Sequence, residues 1–116
     1  MKVVKVFKAL ADETRLRIFC LLLYHEFNVN EMVQAMDMGQ SRISRHLKIL
    51  AESGLISSRR DGSFVYYHGV INEDNKELID FIQGHIDVEA EIQGDLDRAE
   101  AIFRERKTRT ARFFSR

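Results

Sequence analysis

The sequence predicts a mainly helical α+β protein: four short helices, one two-stranded β-hairpin and a long C-terminal helix. Three observations carry that prediction. Apolar residues recur at steps of three and four from Val3 to Leu50. The period then changes, and two runs rich in β-branched and aromatic residues flank Asp61-Gly62, a strong local hairpin signal. From Asp74 onward the helical period returns, in a chain that has no proline to interrupt it.

The elements follow in order. Val3, Val4, Phe7 and Leu10 mark a short first helix. Asp12 can accept from the free N–H groups of a second helix that begins at Glu13 and presents Leu16, Ile18, Phe19, Leu22 and Leu23. Asn28 or Asn30 can cap a third helix carrying Met32, Val33, Ala35 and Met36, and Gly39 ends the turn after it. A fourth helix starts at Gln40 or Ser41, anchors through Ile43, Leu47 and Leu50, and stops at Gly54. The hairpin runs are 55–60 and 63–68, with Asp61-Gly62 as the turn. The stripe Leu78, Ile82, Ile86, Ile92, Leu96, Ala99 and Phe103 predicts one long helix, or two with a kink near Gly84 or Gly94. A lone helix cannot bury such a stripe, so it calls for a partner.

A length of 116 residues fits one compact unit. Within it, residues 1–72 form a DNA-binding part and residues 73–116 a helical dimerisation segment. The longest apolar run, Ile18 to Tyr24, is seven residues, far short of a membrane span. The first residues lack the pattern of a signal peptide, so the expected place is the cytoplasm, with no membrane partner. The single cysteine, Cys20, excludes an internal disulfide and a thiolate-rich metal site within one chain. It sits in an apolar run and reads as a small buried hydrophobe rather than a redox thiol.

Net charge is zero, but the charges are segregated. Residues 1–72 carry +3, residues 73–101 carry −8 and residues 102–116 carry +5. What matters for nucleic acid is a local basic face, not the total. Between Gln40 and Arg60, the basic residues Arg42, Arg45, Lys48, Arg59 and Arg60 face Glu52 alone.

Short helices, a tight turn, a polar-basic helix and a hairpin together make a winged helix-turn-helix. With Ile43, Leu47 and Leu50 turned to the body, Gln40, Ser41, Ser44, Arg45 and Lys48 mostly point away. These residue types suit a DNA groove: Gln pairs with adenine edges, Arg with guanine, and Ser with bases or phosphate. The first residues of a recognition helix are the ones expected at base edges. A solvated basic face is the plain alternative. The adjacent arginines 59 and 60 on the hairpin weigh against it, because they suit backbone or minor-groove contacts.

These segments resemble the ArsR/SmtB family of transcriptional repressors. The resemblance is carried by Ala11-Asp12-Glu13-Thr14-Arg15-Leu16-Arg17-Ile18, by the helix Gln40–Leu50, and by Gly54-Leu55-Ile56, Arg59-Arg60-Asp61-Gly62 and Val65-Tyr66-Tyr67. It covers about residues 5–70. It implies a homodimer with helices from both chain ends at the interface, occupancy of a double-stranded operator, and release by an effector. The implied DNA contacts are Gln40, Ser41, Arg42, Ser44, Arg45, His46 and Lys48 on the helix, with Arg59, Arg60 and Tyr66 on the wing. His46 has two readings, a DNA contact or a member of an internal hydrogen-bond network, since it directly precedes the core position Leu47.

The effector sites of the metal-sensing members do not match. Where arsenic and cadmium sensors carry Cys-Val-Cys, this chain has Asn28-Val29-Asn30, and soft metals need thiolates. The zinc and nickel pattern between C-terminal helices begins Asp-x-His, whereas this chain reads Asp74-Asn75-Lys76. His85, Asp87, Glu89 and Glu91 can be grouped only as a non-standard site, and an acidic solvated face is the simpler reading. No metal and no cofactor is expected. The tail from Glu105 to Arg116 resembles the junction between an ArsR-type domain and an S-adenosylmethionine-dependent methyltransferase. It also resembles the end of stand-alone regulators that respond to S-adenosylhomocysteine. Either compound is therefore the expected small-molecule effector, and an end at Phe113-Phe114-Ser115-Arg116 fits a chain cut from a longer protein.

Competing readings are the regulatory N-terminal domain of a methyltransferase, a metal-responsive repressor with an unusual site, and a protein-docking winged helix. The sequence has no Gly-rich cofactor loop after a strand and no nucleophile–base set, so no catalytic residue and no enzyme activity is expected.

Overall fold

The computed structural model describes residues 2–85 and 90–114, and side chains within 2–85 and 91–110. The elements run α1 (Val3–Leu10), α2 (Glu13–Tyr24), α3 (Val29–Met36), α4 (Gln40–Glu52), β1 (Ile56–Asp61), β2 (Phe64–Gly69), α5 (Lys76–His85) and α6 (Ala90–Phe114). It is a winged helix-turn-helix: a helical body with one antiparallel hairpin.

Local chemistry sets most boundaries. The Asp12 carboxylate accepts from the Arg15 N–H at 3.0 Å and caps α2. Asn28, not Asn30, caps α3: its side chain accepts from the Glu31 N–H at 2.9 Å, and the Glu31 side chain accepts from the Asn28 N–H at 3.0 Å. Gly54, at φ +81°, closes α4. Its N–H donates to the Ala51 carbonyl, and the Leu55 N–H reaches back to the Leu50 carbonyl at 3.2 Å. Leu50 and Leu55 are both buried there, which completes a Schellman stop. The turn between α3 and α4 begins at Asp37, a non-glycine residue in the left-handed region at φ 52°. A short polar side chain tolerates that region better than a branched one, which is why the sequence needs no glycine there.

The core gathers on α2, where Ile18, Phe19, Cys20, Leu21 and Leu22 are all buried. The expected one-sided stripe is too narrow: Leu21 is fully buried, while Leu16 and Leu23 are half-buried. The reason is that α1, α4, β2 and α6 each pack against α2.

The hairpin corrects the predicted turn by one residue. Asp61 pairs with Phe64 as the last rung, so the two loop residues are Gly62 and Ser63. Gly62 takes φ +62° at the first loop position, where the II′ type of two-residue turn requires glycine. A third segment joins the sheet: Phe27 makes an isolated antiparallel bridge to Tyr67, with N–H···O distances of 3.1 and 2.9 Å.

The C-terminal stripe is also corrected. It divides into α5 and α6, and residues 86–89, including Ile86, Asp87, Val88 and Glu89, lie outside the described residues. Helix α5 ends at His85, next to Gly84, in keeping with the two-helix alternative, whereas Gly94 lies inside α6. The α6 part needs no second chain to cover it. Ile92 and Ala99 are buried, with Leu96 and Phe103 half-buried, because α6 lies across α2 and α3 of the same chain. Among the described residues no helix is long and apolar enough to cross a membrane.

One ion pair fastens that helix. Asp95 is 1% exposed, and both its oxygens accept from the Arg17 guanidinium at 2.8 Å. Arg98 adds a bond to Asp95 at 2.9 Å and donates to the Ala35 carbonyl at 2.6 Å. A buried pair contributes little net stability, but removing one partner strands the other charge. Asp95→Ala is therefore expected to lose about 3–5 kcal/mol of unfolding free energy in urea titrations. A loss below about 1 kcal/mol, the range of an exposed pair, is the result that contradicts this account.

Candidate nucleic-acid interface

Helix α4 has two faces. Ile43, Leu47 and Leu50 are buried and hold it to the body, each contributing on the order of 1.5–3 kcal/mol of apolar burial. Gln40, Ser41, Arg42, Ser44, Arg45 and Lys48 are exposed. Among the described residues, Arg45 and Lys48 have no ion-pair partner within the chain. Arg42 is less free, since its guanidinium donates to the Thr14 hydroxyl at 3.2 Å. Gly39 precedes α4 without a side-chain cap, so the first N–H groups of the helix are open to an acceptor from outside.

His46 differs from its neighbours. It is half-buried, and its Nδ1 faces the Arg15 guanidinium at 3.3 Å. Arg15 also donates from Nε to the Ala9 carbonyl at 2.7 Å, so it links the end of α1 to α4. His46 therefore has a place in an internal network, the second of its two readings. Its pKa is lowered, chiefly by burial, with the Asp12 carboxylate opposing and Arg15, Arg42 and Arg45 reinforcing.

The two wing arginines fall on opposite faces of β1, as adjacent strand residues must. Arg59 is cross-strand from Tyr66, and its guanidinium stands 5.0 Å from that ring. It also grips Glu26 through two bonds, one from Nε at 2.8 Å, and lies near Asp61. The Glu26 carboxylate is held below its usual range by this pairing. Arg60, cross-strand from Val65, is exposed and has no ion-pair partner among the described residues. Tyr66 is buried between the hairpin and α6, so of the three wing residues singled out from sequence, Arg60 presents the freest cation.

Two residues that the sequence reading left aside enter here. Arg106, from α6, pairs with Glu31 at 3.2 Å and stands 4.9 Å from the Tyr66 ring. The His25 ring packs against Phe103 with centroids 3.6 Å apart, and its Nδ1 accepts from the Glu26 N–H at 2.8 Å. Burial lowers the His25 pKa, and Arg106 adds to the effect. The basic tail was the only signal available for Arg106, and nothing local distinguishes His25.

A cleft of about 540 Å³ opens beside this junction, between α3, the wing and α6. Asn30, Gln34, Phe64, Tyr66, Glu105 and Arg109 are among its lining residues. No three His, Cys, Asp or Glu side chains among the described residues converge to hold a metal. The grouping with His85 and Glu91 cannot be followed further, because Asp87 and Glu89 lie outside the described residues. Cys20 is 1% exposed, and burial pushes its thiol up to about 12, which keeps it protonated and unreactive.

Comparison with known proteins agrees with this architecture. The family described as bacterial regulatory proteins of the arsR type matches residues 12–58. A homodimeric winged helix-turn-helix DNA-binding domain from Mycobacterium bovis, described as a possible ArsR-family transcriptional regulator, superposes with a TM-score of 0.64 at 35% identity, covering 73% of this chain and 78% of that one. This chain belongs to the ArsR family. Reduced HlyU from Vibrio cholerae superposes with a TM-score of 0.65 at 31% identity, over 77% of this chain and 90% of that one. The arsenical resistance operon repressor of Escherichia coli is 48% identical over 65 residues, 55% of this chain and 56% of the relative. The aligned part of the chain spans between 49% and 61% of the length of three curated relatives that it matches.

Both perturbed histidines make this ArsR-family fold sensitive to acid. Their pKa values are depressed when folded, while the unfolded chain takes up the proton near pH 6.5. The unfolded state then binds more protons, so this stability is present above about pH 6.5 and is lost as pH falls below it. The melting temperature should fall between pH 7.5 and 5.5, and fall less when both His25→Gln and His46→Gln are present. A wild-type melting temperature constant over that range contradicts the assignment.

Proposed function

We propose that this ArsR-family chain is a homodimeric transcriptional repressor. It reads double-stranded operator DNA with α4, holds the DNA backbone with its wing, and is released by a small organic effector. The observation that carries the reading is the exposed α4 face of Gln40, Ser41, Ser44, Arg45 and Lys48 over a fully buried anchor. Arg60 on the wing extends that basic surface. Residues 1–72 supply these contacts, with His46 and Tyr66 behind them in supporting positions and Arg42 and Arg59 partly engaged by the body.

Dimerisation is supported by what the helical body leaves uncovered. Val3, Val4 and Phe7 on α1 are exposed among Lys2, Lys5 and Lys8. Phe81 on α5 is exposed near the acidic residues Glu77 and Asp80. An apolar-basic helix and an apolar-acidic helix complement each other across a two-fold axis. The Mycobacterium bovis neighbour is described as homodimeric. Two copies of α4 would then read two half-sites about one helical turn of DNA apart.

An organic effector is favoured by the donor set. Asn28 and Asn30 stand where thiolate sensors need cysteines, and Cys20 is buried and protonated. The cleft between α3, the wing and α6 combines aromatic rings, amides, two arginines and two carboxylates. That mixture suits a ring-bearing zwitterion such as S-adenosylhomocysteine or S-adenosylmethionine. The tail similarity that suggested these compounds extends into residues outside those described.

Two experiments test the reading. Arg45→Ala should cost about 1–3 kcal/mol of operator affinity and relax sequence preference. Arg60→Ala should weaken all duplexes alike and flatten the dependence of log K on log salt. Unchanged affinity in both variants removes this helix and wing from the interface. Calorimetric titration of the folded protein with each adenosyl compound should give saturable heat with one of them. Absence of heat with both rejects that effector class while leaving DNA binding standing.

A further inference from the structure

The wing is a two-stranded ribbon, and such ribbons are barely stable alone. Its base is anchored, with Ile56 buried and Tyr67 bridged to Phe27, but from Ser57 to Phe64 every residue is exposed. The direction of the tip, and therefore of Arg60, depends on what grips its inner face. That grip centres on Tyr66, and the residue that joins Tyr66 to the body comes from α6.

Arg106 makes five contacts at one point. Its Nε pairs with the Glu31 carboxylate at 3.2 Å, and its Nη2 donates to the Glu26 carbonyl at 3.0 Å. Its guanidinium carbon lies 4.9 Å from the Tyr66 ring centroid, 5.5 Å from Phe103 and 5.8 Å from Phe27. The side chain is 18% exposed, which is little for an arginine on the last turns of a helix. Arg59, 5.0 Å from the same Tyr66 ring, is neutralised by Glu26. Each guanidinium thus has its own carboxylate, and the two share the ring without an unpaired charge. Only a planar group with donors in two directions can stack and bridge in this way, so lysine is not equivalent.

We infer that Arg106 is a positioning residue for DNA binding: it joins α6 and the start of α3 to the wing and sets where Arg60 meets the duplex. None of its partners lies on α4, whereas Tyr66 lies on the wing itself, so the wing is the direct route from Arg106 to DNA. The inference rests on the function proposed above. It adds that the C-terminal helix, far from the recognition helix in sequence, controls the wing's share of the DNA contact.

A double-mutant cycle on the full chain tests it, using a duplex selected from a random pool by the wild-type protein and read by fluorescence anisotropy. Arg106→Met should weaken binding about ten-fold. Combined with Arg60→Ala, the loss should be clearly smaller than the product of the two single losses, because one contact is removed twice. Combined with Arg45→Ala, the losses should multiply, because the recognition helix is untouched. Amide hydrogen exchange should quicken in residues 57–67 and stay unchanged in α4. If Arg106→Met does not fold, Arg106→Lys keeps the charge, loses the two-directional grip, and should give the same pattern. Losses that multiply with Arg60→Ala as they do with Arg45→Ala overturn the inference and leave the wing contact intact. An Arg60→Ala variant with wild-type affinity overturns the wing contact and the inference together.

Discussion

Asp95 is buried on α6 and needs a cation from another element to be tolerable there. Arg17 on α2 supplies it through two bonds, and Arg98 adds a third while reaching the end of α3 through Ala35. These bonds fix the rotation and the axial position of α6 against α2 and α3, which apolar contact alone specifies loosely. Ile92 and Ala99, flanking Asp95 by three and four residues, are then the positions that meet the core. Everything farther along α6 inherits that setting. Arg106 lies eleven residues beyond Asp95, about three helical turns, and reaches the wing because the helix is already aimed.

The wing and the recognition helix are thus supported differently. Helix α4 is held by ordinary apolar burial, backed by the Schellman stop at Gly54 and the Arg15–His46 contact. The wing is held by charge-assisted and cation–π contacts among Arg59, Arg106, Glu26, Glu31 and Tyr66. Contacts of that kind are more sensitive to salt and competing charge than a packed methylene is. A regulator that must both hold a reading head rigid and alter its grip has reason to use the two modes in different places.

Much of this was legible in the sequence, for definite reasons. The α4 faces follow from the spacing of Ile43, Leu47 and Leu50. The caps at Asp12 and Gly54 follow from residue type, and the hairpin from the change of period at Leu55. What could not be read depends on contacts distant in sequence. The Asp95–Arg17 pair spans 78 positions and the Arg106–Glu26 bond spans 80, and no local period encodes either. The α6 part of the C-terminal stripe was misassigned to a partner for the same reason: periodicity states that a face must be covered, not by which chain. The turn slipped by one residue because Asp-Gly and Gly-Ser are both acceptable loop pairs, and the choice between them lies in the cross-strand register. Arg59 was legible as a cation but not as one already neutralised by Glu26.

That last point changes how the neutral total should be read. Several cations of the helical body and the wing are spent inside the molecule: Arg15 on backbone carbonyls and His46, Arg17 on Asp95, Arg59 on Glu26, and Arg42 in part on Thr14. Arg45, Lys48 and Arg60 have no such partner among the described residues. These three cations on α4 and the wing give a modest electrostatic attraction, and two copies would double it while fixing its spacing along the duplex. For a chain with no net charge, the proposed pairing would be what brings enough phosphate contacts together to hold DNA. On the same arithmetic, the exposed apolar residues of α1 and α5 would matter to recognition through that pairing, although neither helix needs to touch a base.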